Sequence, residues 1–330
     1  MKLDRRSALV AGLAAPLAAA AQTAPPSLAG KPLPAGLPEP GETIVLWPRG
    51  VPGQPAKPPV EAVVERTTDA LLADRSVSGI ANPRLVVFRP RIANGASVLI
   101  MPGGGYARVV IDREGYELAR WLAARGFTAY VLFYRLPGDG WAAGPNTALS
   151  DAQRALRLVR ARAGRDGLDP ERVAAIGFSA GGHLCADLAT RFAAETYGPV
   201  DAADRLSARP FVAAPIYPVI SMDASVAHAG SRAQLIGKDA APALEAAHSP
   251  DRNVSKATPP CFLVHAEDDA VVPVENSLLL RAALRAAGVP VETHLFTAGG
   301  HGFGISKAAG KPAEVWPELF LAWARTQGFG

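Results

Sequence analysis

Short apolar runs bounded by turn residues alternate with amphipathic stretches along most of the chain. Residues 84–90 (RLVVFRP) and 97–102 (SVLIMP) are continuous apolar runs of strand length, which predicts buried strands. In 113–126 (REGYELARWLAARG), Leu118, Trp121 and Leu122 share one side of a predicted helix, and 127–136 (FTAYVLFYRL) returns to strand. Leu149, Ala152, Leu156 and Val159 recur at three- and four-residue spacing in 147–164, and the arginines among them read as a solvated helix face. Strands follow at 172–178 (RVAAIGF), 211–219 (FVAAPIYPV), 261–266 (CFLVHA) and 291–296 (VETHLF). Helices are expected from about 180, over about 273–287, and in a last amphipathic segment carrying Val315, Leu319 and Trp323.

Strands that alternate with helices pair in parallel through right-handed crossovers. The predicted class is therefore α/β, with a mostly parallel central sheet and helices on both faces, filling residues 60–330. Residues 220–256 break the rhythm and read as a possible cap insertion over one end of the sheet. Residues 22–59 are rich in proline and glycine and read as an arm or linker, interrupted by a short strand at 43–47 (TIVLW).

The first 21 residues have the form of an export signal: a basic start, an Ala/Leu/Val run, and Ala19 and Ala21 in an A-x-A cleavage pattern. Arg5-Arg6 ahead of a weakly hydrophobic run resembles a bacterial twin-arginine signal, so a periplasmic or secreted location is expected, with no stable membrane span after processing. That segment holds Lys2, Arg5 and Arg6 against Asp4, and so supplies two of the four formal positive charges. The remainder gives no electrostatic case for nucleic acid as a partner. With 49% hydrophobic and 19% charged residues, the chain can bury a sizeable core. Cys185 and Cys261 match no metal spacing and read as buried small hydrophobes.

Chemistry enters at 177–184, GFSAGGHL. Gly177, Ser179 and Gly181 form G-x-S-x-G between a predicted strand and a predicted helix, the context in which a sharp turn projects a serine hydroxyl outward. A serine hydroxyl needs a base and an orienting acid to attack. Beyond the strand at 261–266 lie Glu267, Asp268 and Asp269; beyond the strand at 291–296 lies His301, flanked by glycines. Nucleophile, acid and histidine thus occur in order, each just past a strand, and the residue chemistry leaves the acid open among the three carboxylates. Gly103–Gly105 follow another strand directly. The N–H groups of Gly104, Gly105 and Ala180 are candidate donors to an oxyanion. Tyr106, Trp141, Tyr217 and His228 are candidate substrate contacts, and His248 lies near the same insertion. His183 reads as a residue that packs or hydrogen-bonds within its helix, and His294, which alternates with Val291 and Leu295 on a strand, is not expected to act as the base. No zinc-binding cluster or P-loop occurs, and LPGDGWAAG (136–144) lacks the context of a dinucleotide site, so neither cofactor nor metal is expected.

The chain from about 84 to 327 resembles the α/β-hydrolase superfamily, and within it small bacterial esterases related to acetylxylan esterases and other carbohydrate deacetylases. The likeness is carried by PGGGY (102–106), YRLP (134–137), GFSAGGHL (177–184), PPCFLVHAEDDAVVP (259–273) and GGHGFG (299–304), with weaker support from YPVISM (217–222) and HAGSRAQLIG (228–237). Pro102 stands where many relatives have histidine, which points toward the carbohydrate-esterase branch. The resemblance implies H-x-x-x-D-x-x-V-P after the strand, hence Asp269 as the acid with Asp268 as the alternative, and His265 in a structural position. It also implies hydrolysis of short acyl esters, such as acetyl groups on plant polysaccharide fragments. A general short-chain carboxylesterase, a related serine peptidase, and a non-catalytic binding protein on a hydrolase scaffold are the alternatives.

Overall fold

The structure, a computed structural model, describes residues 39–69 and 72–330. The segment 1–21, expected to be an export signal, and the start of the arm, through residue 38, lie outside the described residues. Eight strands form the central sheet: β1 (Pro40–Val45), β4 (Arg84–Phe88), β5 (Ser97–Met101), β7 (Thr128–Phe133), β8 (Val173–Phe178), β9 (Ala213–Ile216), β10 (Cys261–Ala266) and β11 (Val291–Phe296). Their spatial order is β1-β4-β7-β5-β8-β9-β10-β11. The pairs from β7 to β11 are parallel, while β1 and β4 add an antiparallel margin.

The apolar runs form the interior of this sheet, and β5, β7, β8 and β10 are buried along their whole length. β11, at the edge, is half-buried. Helices α1 (Glu117–Ala123), α3 (Ala180–Arg191) and α6 (Glu275–Ala286) pack against the strands they follow or precede, and α7 (Trp316–Thr326) packs against β10. Chain order reverses about β5: β7 lies on one side of it and β8 on the other. Crevices open beyond the carboxyl ends of strands at such a reversal, and Gly103–Gly105 and Ser179 follow β5 and β8 there.

A small second sheet, β2 (Ala62–Glu65), β3 (Arg75–Ser78) and β6 (Val109–Val110), has no counterpart in the sequence reading. Its strands are short and polar or lie outside any periodic run. The helix expected at 113–126 begins instead as a π-helical turn over Asp112–Tyr116 and ends at Ala123. The wider turn aims Glu114 back under Gly103. In the region 220–256, α4 (Ala229–Leu235) borders the crevice, followed by α5 (Pro242–Ala247).

The arginines of α2 (Thr147–Asp166) need a correction. Arg154 is fully buried, not solvated: its guanidinium donates to Asp201 at 2.8 Å, meets Asp204 at 3.1 Å and donates to the Leu46 carbonyl at 3.1 Å. The arm segment lies across this face of α2, so the face that periodicity assigned to water is covered. Asp151 on the same helix is buried and accepts from Trp47 Nε1 at 2.7 Å, Arg135 Nη2 at 2.8 Å and the Arg135 backbone N–H at 2.9 Å. Removing one partner of such a pair strands the other charge in the interior. Asp151→Asn should lower unfolding free energy by about 3–5 kcal/mol in urea titrations; a loss within about 0.5 kcal/mol, the range of ordinary surface substitutions, would contradict the arrangement.

Candidate active site

Strand β8 runs into α3 through a single residue, Ser179, whose φ of 53° lies in the left-handed region. The flanking glycines explain the geometry. A Cβ on Gly177 would stand 2.0 Å from the Gly181 carbonyl oxygen, and one on Gly181 would stand 2.1 Å from that of Met101. Only hydrogen fits at these crossings, and the turn lifts the Ser179 hydroxyl into the crevice.

Ser179 Oγ lies 2.8 Å from His301 Nε2, and His301 Nδ1 lies 2.6 Å from Asp269 Oδ2. The structure thus sets Asp269, not Asp268, against the histidine. Asp268 is exposed and accepts the N–H groups of Gly299 and Gly300 at 2.9 and 2.7 Å, which holds the loop carrying His301. Asp269 is enclosed, and burial works to raise its pKa. Hydrogen bonds from His265 and His301, the His301 charge and the Val272 N–H outweigh this and hold the carboxyl well below the usual range. His265 Nε2 lies 3.2 Å from Asp269 Oδ2 and 3.0 Å from the Val272 carbonyl, while its Nδ1 accepts from the Ser277 hydroxyl at 2.8 Å. His265 thus steadies the acid through Nε2. The four-residue spacing from His265 to Asp269 was the sequence signal for that contact.

Opposite the serine, the Gly103 N–H is taken by Glu114 Oε2 at 2.8 Å. The N–H groups of Gly104, Gly105 and Ala180 have no acceptor among the described residues. Gly104 has φ 130°, and a Cβ there would stand 2.3 Å from the Arg108 carbonyl oxygen. Gly104 and Gly105 line the cleft together with Ser179, and Ala180 follows Ser179 as the first residue of α3.

A model of the BD-FAE family matches residues 88–284, more than half of the chain. The chain belongs to this family. It is 33% identical over 235 residues to an acetylxylan esterase of Xylanibacter ruminicola, covering 70% of this chain and 45% of that enzyme, so it spans less than half of that relative's length. The crystal structure of an acetyl ester-xyloside bifunctional hydrolase from Caldicellulosiruptor lactoaceticus superposes with a TM-score of 0.74 at 34% identity, covering 89% of this chain and 99% of that one. MGS-M1, an α/β-hydrolase enzyme from a Medee basin deep-sea metagenome library, matches with a TM-score of 0.57 at 26% identity over 81% of this chain and 98% of its own. The fold is that of an α/β-hydrolase.

A cleft of about 440 Å³ opens over Ser179 and His301. His228, at the start of α4, lines it, with Nδ1 engaged by Ser231 at 2.9 Å. Tyr106, Trp141 and Tyr217, expected as substrate contacts, do not line it; all three are buried. The Tyr106 hydroxyl donates to His183 Nδ1 at 2.7 Å, and His183 Nε2 donates to the His248 carbonyl at 2.8 Å, a chain that ties the glycine loop through α3 to the insertion. Trp141 packs on the Arg135 guanidinium. Tyr217 lies beneath the site, its ring 5.2 Å from that of His301, its hydroxyl donating to Glu114 at 3.0 Å and accepting from the Gly304 N–H at 3.1 Å.

Glu114 is the residue the sequence did not single out. It lines the floor of the cleft, and burial raises its pKa against the pull of His301, Gly103 and Tyr217. Nothing in its spacing from Gly103 advertises the contact, which the π-helical turn creates. His294 pairs with Glu292 at 2.9 Å, away from the cleft, and Cys185 and Cys261 are free and buried. Among the described residues no group of three or more His, Cys, Asp or Glu is placed to hold a metal ion, and no helix is long and apolar enough to cross a membrane.

His248 supplies a pH test of the bracing network. Burial first, and then Arg191, bring its pKa down to about 4 despite Asp187. The unfolded chain takes up this proton near pH 6.5 and the folded chain near 4, so stability is full above about 6.5 and falls as the pH drops toward 4. Wild type should lose about 3 kcal/mol from this group across that window, and His248→Gln should flatten the loss. Parallel stability-versus-pH curves for the two would contradict the assignment.

Proposed function

We propose that the protein is a serine esterase that hydrolyses short-acyl esters, acetyl groups on plant-polysaccharide fragments in particular. The observation that carries this reading is the line from Ser179 Oγ through His301 to Asp269, at 2.8 and 2.6 Å. His301 Nε2 takes the hydroxyl proton as Ser179 attacks the ester carbonyl, and Asp269 steadies the imidazolium that forms. The N–H groups of Gly104, Gly105 and Ala180 receive the developing oxyanion. His301 then protonates the leaving alcohol, and a water molecule, deprotonated by the same nitrogen, releases the acyl group from Ser179.

The acetyl and carbohydrate parts of the reading draw on the acetylxylan esterase and the acetyl ester-xyloside hydrolase to which the chain is similar. The open, partly polar cleft suits a hydroxyl-rich alcohol better than a long acyl chain. The Arg5-Arg6 signal supports delivery to the periplasm by a twin-arginine route. Replacing both arginines with lysine should leave precursor in the cytoplasm, and undiminished export of that variant would overturn the route.

Acetate release from acetylated xylo-oligosaccharides, measured beside hydrolysis of 4-nitrophenyl acetate and octanoate, tests the substrate. Acetate and the 4-nitrophenyl acetate signal should both appear, the octanoate rate should be low, and Ser179→Ala should lose at least ~10³-fold on each active substrate without loss of fold. Cleavage of the nitrophenyl esters alone would leave a general carboxylesterase. Silence on every ester would remove the enzyme reading.

A further inference from the structure

The wall of the cleft is uneven in charge. Arg66, Arg108 and Arg113 line it, and the acidic residue among its lining is Glu114, whose carboxylate is turned down onto Gly103 and Tyr217. Arg66 and Arg113 share one carboxylate, Asp74: Arg66 meets it at 3.5 Å, and Arg113 binds it closely while also donating to the Gly302 carbonyl at 3.0 Å. Glu65, next to Arg66 in sequence, is occupied by the backbone N–H groups of Arg66, Thr67 and Asp74. The Arg108 guanidinium is exposed and makes no ion pair or hydrogen bond among the described residues. Lys307 stands beside the same group, its ammonium lowered from the ordinary range by burial and then by Arg113 and Arg66, against Asp74 and Glu117.

A neutral acetylated sugar offers these guanidinium groups nothing to neutralise. Clefts lined by one sign of charge concentrate ligands of the other and speed their association. An exposed arginine beside an acyl-transfer site can also hold a carboxylate through two parallel N–H···O bonds. The geometry points to a substrate whose alcohol portion bears a carboxylate as well as the scissile ester: an acylated oligosaccharide with a uronic-acid substituent, its ester carbonyl at Ser179 and its carboxylate against Arg108 and Arg66. This inference rests on the carbohydrate-ester reading above and names the substrate class within it. Arg108 and Arg66 are the specificity-determining residues.

Two acetylated xylo-oligosaccharides matched except for a uronic-acid branch test it, with 4-nitrophenyl acetate as a third substrate. At low ionic strength kcat/KM for the acidic oligosaccharide should exceed that for the neutral one by about tenfold. The ratio should collapse toward one in about 0.5 M salt, where screening reaches only a few ångströms. It should also fall toward one in Arg108→Gln and Arg66→Gln, and below one in Arg108→Glu. A ratio of one in the wild type with good turnover of the neutral oligosaccharide would overturn this inference alone. A high ratio unchanged by Arg108→Glu and Arg66→Gln would overturn the assignment to these residues. Cleavage of 4-nitrophenyl acetate with neither oligosaccharide deacetylated would remove the carbohydrate reading and this inference with it.

Discussion

Strand β8 and helix α3 meet backbone against backbone, and the single residue between them must reverse the chain within one set of dihedral angles. At Gly177 and Gly181 even a methyl group would overlap a carbonyl oxygen. Ser179 therefore takes a positive φ that a side chain rarely adopts, at a cost on the order of 1 kcal/mol or more. The surrounding sheet overdetermines that strain. β8 is held on both sides in parallel register by β5 and β9, and the Ser179 N–H donates to the Ile216 carbonyl at 3.1 Å. The serine hydroxyl has its position because the scaffold leaves it no other.

The second constraint is charge in a partly dry place. A carboxylate removed from water costs several kcal/mol unless its lone pairs find donors. Asp269 has two histidines and the N–H groups of Val271 and Val272, the latter pair at 2.9 Å each, so it stays ionised where it faces His301. Glu114 is held differently, between the Gly103 N–H and the Tyr217 hydroxyl, and so joins the glycine loop to the floor beneath His301. Tyr106, His183 and His248 form a third set that reaches from the loop to the insertion. Donors and dipoles fixed before substrate arrives need no reorganisation during the reaction.

These two constraints also explain what the sequence revealed and what it hid. Long parallel strands such as 97–101 and 173–178 are buried on both faces and read as unbroken apolar runs, so the central sheet was legible. Ser179 and His301 were legible because each follows such a run with glycines around it. Residue chemistry alone left the acid open, since adjacent carboxylates after one strand differ only in how the turn disposes them; the family likeness pointed to Asp269, the carboxylate that the structure sets against His301. Periodicity misassigned Arg154, because a buried arginine paired with carboxylates distant in sequence leaves the same pattern as a solvated one. The short strands at 62–65, 75–78 and 109–110 carry too little apolar repetition to announce themselves. Tyr106, Trp141 and Tyr217 show the usual ambiguity of an aromatic beside a motif, where packing under a site and lining it look alike in one dimension. Glu114 depended on a local π-helical turn that no spacing rule foresees.

Covalent labelling reports directly whether Ser179 is the nucleophile. The enzyme would be treated with an alkyl phosphonate 4-nitrophenyl ester, whose tetrahedral phosphorus imitates an attacked carbonyl, and the peptides mapped by mass spectrometry. If the fold makes Ser179 the nucleophile, one phosphonyl group attaches there, 4-nitrophenolate appears in equal amount, and esterase activity disappears in step. Labelling of a different residue in step with inactivation, or full activity after Ser179 is labelled, would contradict the account.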